Sequence, residues 1–216
     1  MNFKSYPELK CLPRKAWLIA ISLLLIMHTG CGYREPVPYH RVMAQFPTGK
    51  VCRVAVLPFA NDSDFHLGDV MVKKIVMAEL QASGRYQVLQ EGDITKSYQQ
   101  LRIYPGRMPS LEQMQIVADR LDAEVLVAGI ILEMREDPWR NTTVNPKIVM
   151  EIQIRDGRNG ETLWTAYHNR QGTDYTKTMH FGTIHSLAGL SRQMVQEIIT
   201  LWYEKGLPQC TVFSQP

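Results

Sequence analysis

The chain has 216 residues, 45% hydrophobic, 21% charged and 9% aromatic, which is ordinary globular composition and excludes collagen-like, coiled-coil and wholly disordered readings. Its formal charge of +3 resides in residues 1–30, where Lys4, Lys10, Arg14 and Lys15 stand against Glu8, and the remainder carries 20 basic and 20 acidic residues. A neutral chain without a Lys/Arg stripe has little electrostatic attraction for a phosphate backbone, so no nucleic-acid partner is expected.

At the N-terminus the four basic residues precede an uncharged run of twelve, Ala16 to Met27, then His28-Thr29-Gly30-Cys31. This charged, apolar, small-residue order predicts a secretory signal over residues 1–30. Twelve helical residues rise only about 18 Å, short of the roughly 30 Å of hydrocarbon a spanning helix must cross. The Gly30-Cys31 pair resembles the lipobox of bacterial lipoproteins, with His28 where an aliphatic residue is usual. The resemblance implies cleavage before Cys31, lipidation of its thiol and a membrane-held mature chain. Gly32 in place of Asp implies the outer membrane rather than the inner, with the domain in the periplasm. From 31 to 50, Pro36, Pro38 and Pro47 and the lack of periodicity predict a lipid-anchored tether that reaches about 60 Å when extended.

The domain is expected over 51–216. Val51 to Phe59 is an apolar, β-branched run stopped by Pro58, as a buried strand would be. Asn61 to Asp64 is a turn and cap cluster. A helix over 67–83 places Leu67, Val70, Met71, Ile75, Ala78 and Leu80 near one face, with Lys73, Lys74 and Glu79 off it and Gly84 as the stop. A strand follows at 86–89, then a short helix from Asp93 to Leu101. Residues 102–109 break it, and Ser110 with Gln113 has capping-box spacing for a helix through Leu121. Glu124 to Leu132 is almost wholly apolar and reads as a central strand covered on both faces. Lys147 to Asp156 alternates, with Ile148, Met150, Ile152 and Ile154 opposite Glu151, Gln153 and Arg155, so one face is wet. Gly157 to Gly160 turns it into a strand over 162–170. The last helix runs from Ser186 to Glu204 and is ended by Gly206 and Pro208. The order β-α-β-α-α-β-β-β-α predicts a single α/β domain with a mixed β-sheet flanked by helices.

Four segments in this order, Val54 to Phe59 with Asn61, Gly84 to Leu89, Ala123 to Gly129 and Gly160 to Trp164, resemble the superfamily of envelope lipoproteins that includes the curli secretion lipoprotein, the lipoprotein activators of penicillin-binding proteins and the Pel polysaccharide export lipoprotein. The resemblance covers about residues 51–203. It implies a non-enzymatic, membrane-tethered binding or assembly factor in envelope biogenesis or export, with an envelope protein or further copies of itself as partner. A ring-forming accessory subunit of an outer-membrane export channel is the alternative. The connections at 136–146 and 171–185 are short and poor in apolar residues, which argues against the transmembrane hairpins of the curli branch.

Candidate sites follow from residue types. Cys52 and Cys210 are the two thiols left after Cys11 and Cys31, the right number for one disulfide in an oxidising compartment; one buried and one exposed free thiol is the other arrangement. Tyr104, Trp139 with Arg140, and Phe181 are aromatic and basic residues in polar loops, types enriched at interface centres, although each ring could equally fold back on its own domain. Trp164 and Trp202 are assigned to the core. His168, His180 and His185 lack metal-site spacing, and Asp62, Asp64 and Asp69 suit turns and caps better than the hydrolase they would otherwise suggest. No metal, cofactor or catalytic residue is assigned.

Overall fold

A single tight pattern of burial organises the centre of the sheet. In β2 (Arg53–Val56), Val54 and Val56 pack into one apolar cluster while Ala55, with Leu57 just beyond, packs into a second on the opposite side. In β5 (Val125–Trp139), Val125, Val127 and Ile131 join the first cluster and Leu126 and Ala128 the second. Continuous apolar runs are thus explained by a strand covered on both faces. The computed structural model describes residues 37–47, 51–104, 106–139, 143–177, 181–205 and 210. Over these, a mixed seven-stranded sheet has the order β1-β7-β6-β5-β2-β4, with β3 (Ala60–Asn61) paired to β5.

Helices α1 (Gly68–Ala82) and α4 (Leu187–Lys205) cover one face, and α2 (Glu91–Gln100) and α3 (Leu111–Leu121) cover the other only over its β2–β5 half. β2 runs parallel to both β4 (Gln87–Val88) and β5, whereas β5, β6 (Thr143–Asp156), β7 (Thr162–Gln171) and β1 (Tyr39–Val42) form an antiparallel series. The expected capping box of α3 is formed: Gln113 N donates to Ser110 Oγ at 3.2 Å and Ser110 N to Gln113 Oε1 at 2.9 Å. Gly160, at φ +70°, supplies the left-handed residue that the β6–β7 turn requires.

Three local expectations are corrected. Residues 39–42, read as tether, are the edge strand β1, in register with β7 from Tyr39↔Tyr167 to Val42↔Trp164. Four residues give too few periods for a sequence signal, and the pairing is supplied by the free edge of β7. The connection expected at 136–146 is a continuation of the β5–β6 ladder as far as Trp139↔Thr143. Pro138 and Pro146 suggested a loop, but they sit in the outer part of the hairpin, where among the described residues each strand has one neighbour, so an outward-facing position without N–H costs no ladder bond. The phase of α1 is also shifted. Its buried stripe is Val72, Val76, Met77 and Leu80, while Leu67, Val70 and Ala78 are exposed. Apolar residues occur on every side of this helix, so only its neighbours choose the inward face. Lys73, expected on the wet face, is buried with its amine 2.5 Å from Glu91 Oε1 at the start of α2.

Candidate interaction surface

The uncovered half of the sheet follows from the alternation of β6. Its even residues Ile148, Met150, Ile152 and Ile154 pack towards α4, which sends Glu151, Gln153 and Arg155 to the opposite face, where no described helix lies. These residues are knitted together. Gln153 Nε2 donates to Glu151 Oε1 at 2.7 Å, Thr165 Oγ1 donates to the same oxygen at 2.8 Å, and Arg155 Nη2 donates to Gln153 Oε1 at 2.7 Å. Farther along the hairpin, Lys147 Nζ lies 2.9 Å from Glu133 Oε2, and Arg135 pairs with Glu133 and, at 3.0 Å, with Asp137. The hydrogen bond from Lys147 is the leading cause that holds the Glu133 carboxyl below its usual range. The result is a polar sheet face whose side chains are hydrogen-bonded to one another, the kind of surface a protein partner can meet.

The hairpin end is tied to the segment before α4. The Trp139 ring stacks on His185 with centroids 5.3 Å apart and planes 23° apart, His185 Nδ1 lies 3.2 Å from Val144 O, and Thr173 N donates to Asn145 Oδ1 at 3.0 Å. Trp139 therefore has a packing role that its loop-like sequence did not reveal. Phe181, in the same pre-α4 segment, is 75% exposed, and Tyr104, on the α2–α3 connection, is 77% exposed. Trp139 and the Phe181 segment are brought to one end of the domain through His185, while Tyr104 lies beside the separate Ala60–Gly106 bridge. Arg140 and His180 fall outside the described residues, as does Cys31. Cys52 and Cys210 are joined in the structure with Cα atoms 4.8 Å apart. At the Asp62–Asp69 turn it is Asn61 that organises the backbone, accepting from Ser63 N at 3.0 Å and donating to Phe65 O at 2.9 Å, with Asp62 and Asp64 exposed.

One group was not anticipated. His168 is buried on the α4 side of β7 and its Nε2 lies 2.6 Å from Glu197 Oε2. Gln193 of α4 donates to Glu197 Oε1 at 3.1 Å, Arg170 Nε lies 3.9 Å from Glu197 Oε2, and Tyr175 and Asp174 of the 3-10 turn Gly172–Tyr175 also face this group. The available signal was a histidine in the inward register of Trp164 and Ala166; nothing in the sequence named its partner on α4. Burial lowers the His168 pKa below its ordinary value and outweighs the attraction of Glu197. Burial alone would raise Glu197, but the hydrogen bonds from His168 and Gln193 leave it below the usual carboxylate range. A lowered pKa in the folded state means that protons bind more readily to the unfolded chain. The stability from His168 is therefore complete above about pH 6.5 and is lost as the pH falls below that value. Unfolding midpoints in denaturant are expected to drop between pH 7.5 and 5, and His168→Gln to flatten that drop; an unchanged slope in the variant would remove His168 as its source.

No family model matches the chain, and no curated protein matches it. Among solved structures, a variant PelC dodecamer from Paraburkholderia phytofirmans is similar with a TM-score of 0.50 at 16% identity, over 75% of this chain and 96% of that one. Lipoprotein GNA1162 from Neisseria meningitidis is similar with a TM-score of 0.50 at 15% identity, over 71% of this chain and 99% of that one. The chain has the fold of these two proteins. That is the fold expected from the resemblance of its four segments to envelope lipoproteins.

Proposed function

We propose that this protein is a lipid-anchored, non-enzymatic component of the cell envelope that works by binding other proteins, its domain held in the periplasm at the outer membrane. The observation that carries this reading is the lopsided sheet. Helices cover both faces of β2 and of the first part of β5, yet among the described residues no helix covers one face of β6 and β7, which carries an ordered polar network. The signal order of residues 1–30 and the Gly30-Cys31 pair supply the anchor in this proposal. Among the described residues no helix is long and apolar enough to cross a membrane. A second reading, an accessory subunit that forms a ring of its own copies around an export channel, is favoured by the shared fold with the PelC dodecamer.

Cys31→Ser is expected to abolish acylation and to move the protein out of the outer-membrane fraction, because the thiol is the atom that forms the thioether. Mass analysis of the N-terminal peptide with membrane fractionation tests this, and a serine variant that stays lipid-modified would overturn it. Association is read by light scattering of the full-length protein and by crosslinking in the envelope. Trp139→Ala removes a stacked pair worth about 0.5–1.5 kcal/mol, or a fall in Tm of roughly 1–6 °C, and is expected to weaken crosslinking well beyond that. A similar small fall in Tm with unchanged crosslinking would confine Trp139 to its contact with His185.

A further inference from the structure

The acyl anchor at Cys31, on which this inference rests, is separated from the first described residue of the domain by very little chain. From Cys31 to Val37 there are six steps, which span at most about 20 Å when fully extended. The strand β1 begins two residues later, so most of the length expected of a long tether is consumed by the sheet itself. The headgroup layer of a bilayer is about 5–8 Å thick on each side. An edge strand on so short a leash is confined to the neighbourhood of that layer, whatever the other elements of the domain face.

The residues at this edge have a composition suited to such a place. Val37, Tyr39, Val42 and Met43 are each between 50% and 71% exposed, and Tyr167, directly across from Tyr39 on β7, is 40% exposed. Free sheet edges are usually protected by charge, proline or a bulge, whereas Tyr39-His40-Arg41-Val42 carries one full charge, on the exposed Arg41. Tyrosine combines an apolar ring with a polar tip and is enriched at the level of lipid headgroups, and an arginine beside it matches the lipid phosphate. The outward backbone groups of an edge strand can hydrogen-bond to headgroups and water, which deep hydrocarbon would not provide. We propose that the β1 edge, through Val37, Tyr39, Arg41, Val42, Met43 and Tyr167, rests on the lipid surface that holds Cys31. The domain then lies on the bilayer by its β1 edge, with Tyr39, Arg41 and Tyr167 on the same sheet face as Thr165 and Val42 on the Trp164 side, while the β6 part of the polar face and the hairpin end remain open to protein partners.

The test uses the full-length acylated protein in liposomes of phosphatidylethanolamine and phosphatidylglycerol. Tyr39 is replaced by the photoreactive p-benzoylphenylalanine, and in a second preparation Val42 is replaced instead. As a reference the same probe replaces Gln87, which is exposed on β4 at the opposite edge of the sheet, about 24 Å away across five strand spacings. Phospholipid adducts are expected from positions 39 and 42 at five-fold or greater the yield from position 87, as read by mass spectrometry. Crosslinked dimers in place of lipid adducts at both positions would overturn the proposal in favour of strand addition by a second copy. Equal lipid yields at 39, 42 and 87, or no adduct at either edge position, would overturn it as well. The mass of the N-terminal peptide is read in the same sample: an acylated chain without the β1 adducts refutes this docking alone, and a chain without acyl groups refutes the anchor and the docking together.

Discussion

Replacing Cys52 and Cys210 together by serine is expected to lower the stability of the domain by about 5 kcal/mol. The two residues are 158 apart in sequence, and the chain-entropy model assigns a loop of that length roughly this much, because the crosslink removes open conformations from the unfolded chain. A typical domain is stable by only about 5–15 kcal/mol, so the loss would be a large share of the whole. The position adds to the effect. Cys52 immediately precedes β2, its backbone N–H and that of Arg53 donate to the Glu124 carboxylate, and Gln87 N donates to Cys52 O at 2.7 Å, so the bridge holds the segment after α4 against the start of the central strands. Each single substitution is expected to cost about as much as the double, since either one opens the loop. Guanidinium unfolding of the three variants and of the reduced parent measures this. Peptide mapping that finds both thiols free in protein from the envelope fraction, or a double variant within about 1 kcal/mol of the parent, would overturn the pairing.

Trp164→Ala is expected to cost about 3–5 kcal/mol, the range for truncating a fully buried large aromatic residue whose surroundings cannot collapse into the space. Trp164 is 1% exposed, stands opposite Ile154 of β6 and Val42 of β1, and its ring lies 6.3 Å from that of His40. It therefore joins the α4-side core to the edge strand. Loss of the ring should loosen β1 before the rest of the sheet, because among the described residues β1 pairs with β7 alone. Hydrogen exchange is expected to speed up at residues 39–42 by at least ten-fold while Val125–Val127 keep much of their protection. A cost below 1 kcal/mol, or equal acceleration in both strands, would show that Trp164 does not hold the edge in this way.

The two predictions draw on different kinds of knowledge. That Trp164 and Trp202 are core residues was legible from a strand alternation and a helical stripe, as were the capping box of Ser110 and Gln113, the wet face of β6 and the double cover of Val125–Ala128, although Leu132, at the end of the run expected to be covered, is exposed. These are local signals. Burial on two faces demands an unbroken apolar run, and burial on one demands alternation, so each pattern reports its own environment. The single α/β domain with a mixed sheet followed from the order of those patterns.

Other features were decided by partners distant in sequence. Trp139 looked unattached because its stacking partner His185 is 46 residues later, and the ladder beneath it contains two prolines that suggested a loop. His168 could be suspected from its inward register, but Glu197 became its partner only when α4 packed across β7. The inward stripe of α1 was ambiguous because apolar residues surround that helix, and contact with β2, β5 and α4 selected Val72, Val76 and Leu80. The sharpest case is the segment before Val51. Its own residues have no periodicity and little apolar content, so by itself it reads as a tether, yet β7 offers a row of unpaired backbone groups and Tyr39–Val42 fills it. Sequence by itself determined which stretches must be buried and in what order they occur, because hydrophobic period is a property of a short stretch of chain. The tertiary structure alone decided where the sheet ends and which face stays open, because an edge strand is stabilised mainly by hydrogen bonds to a neighbour and those bonds leave almost no trace in side-chain pattern.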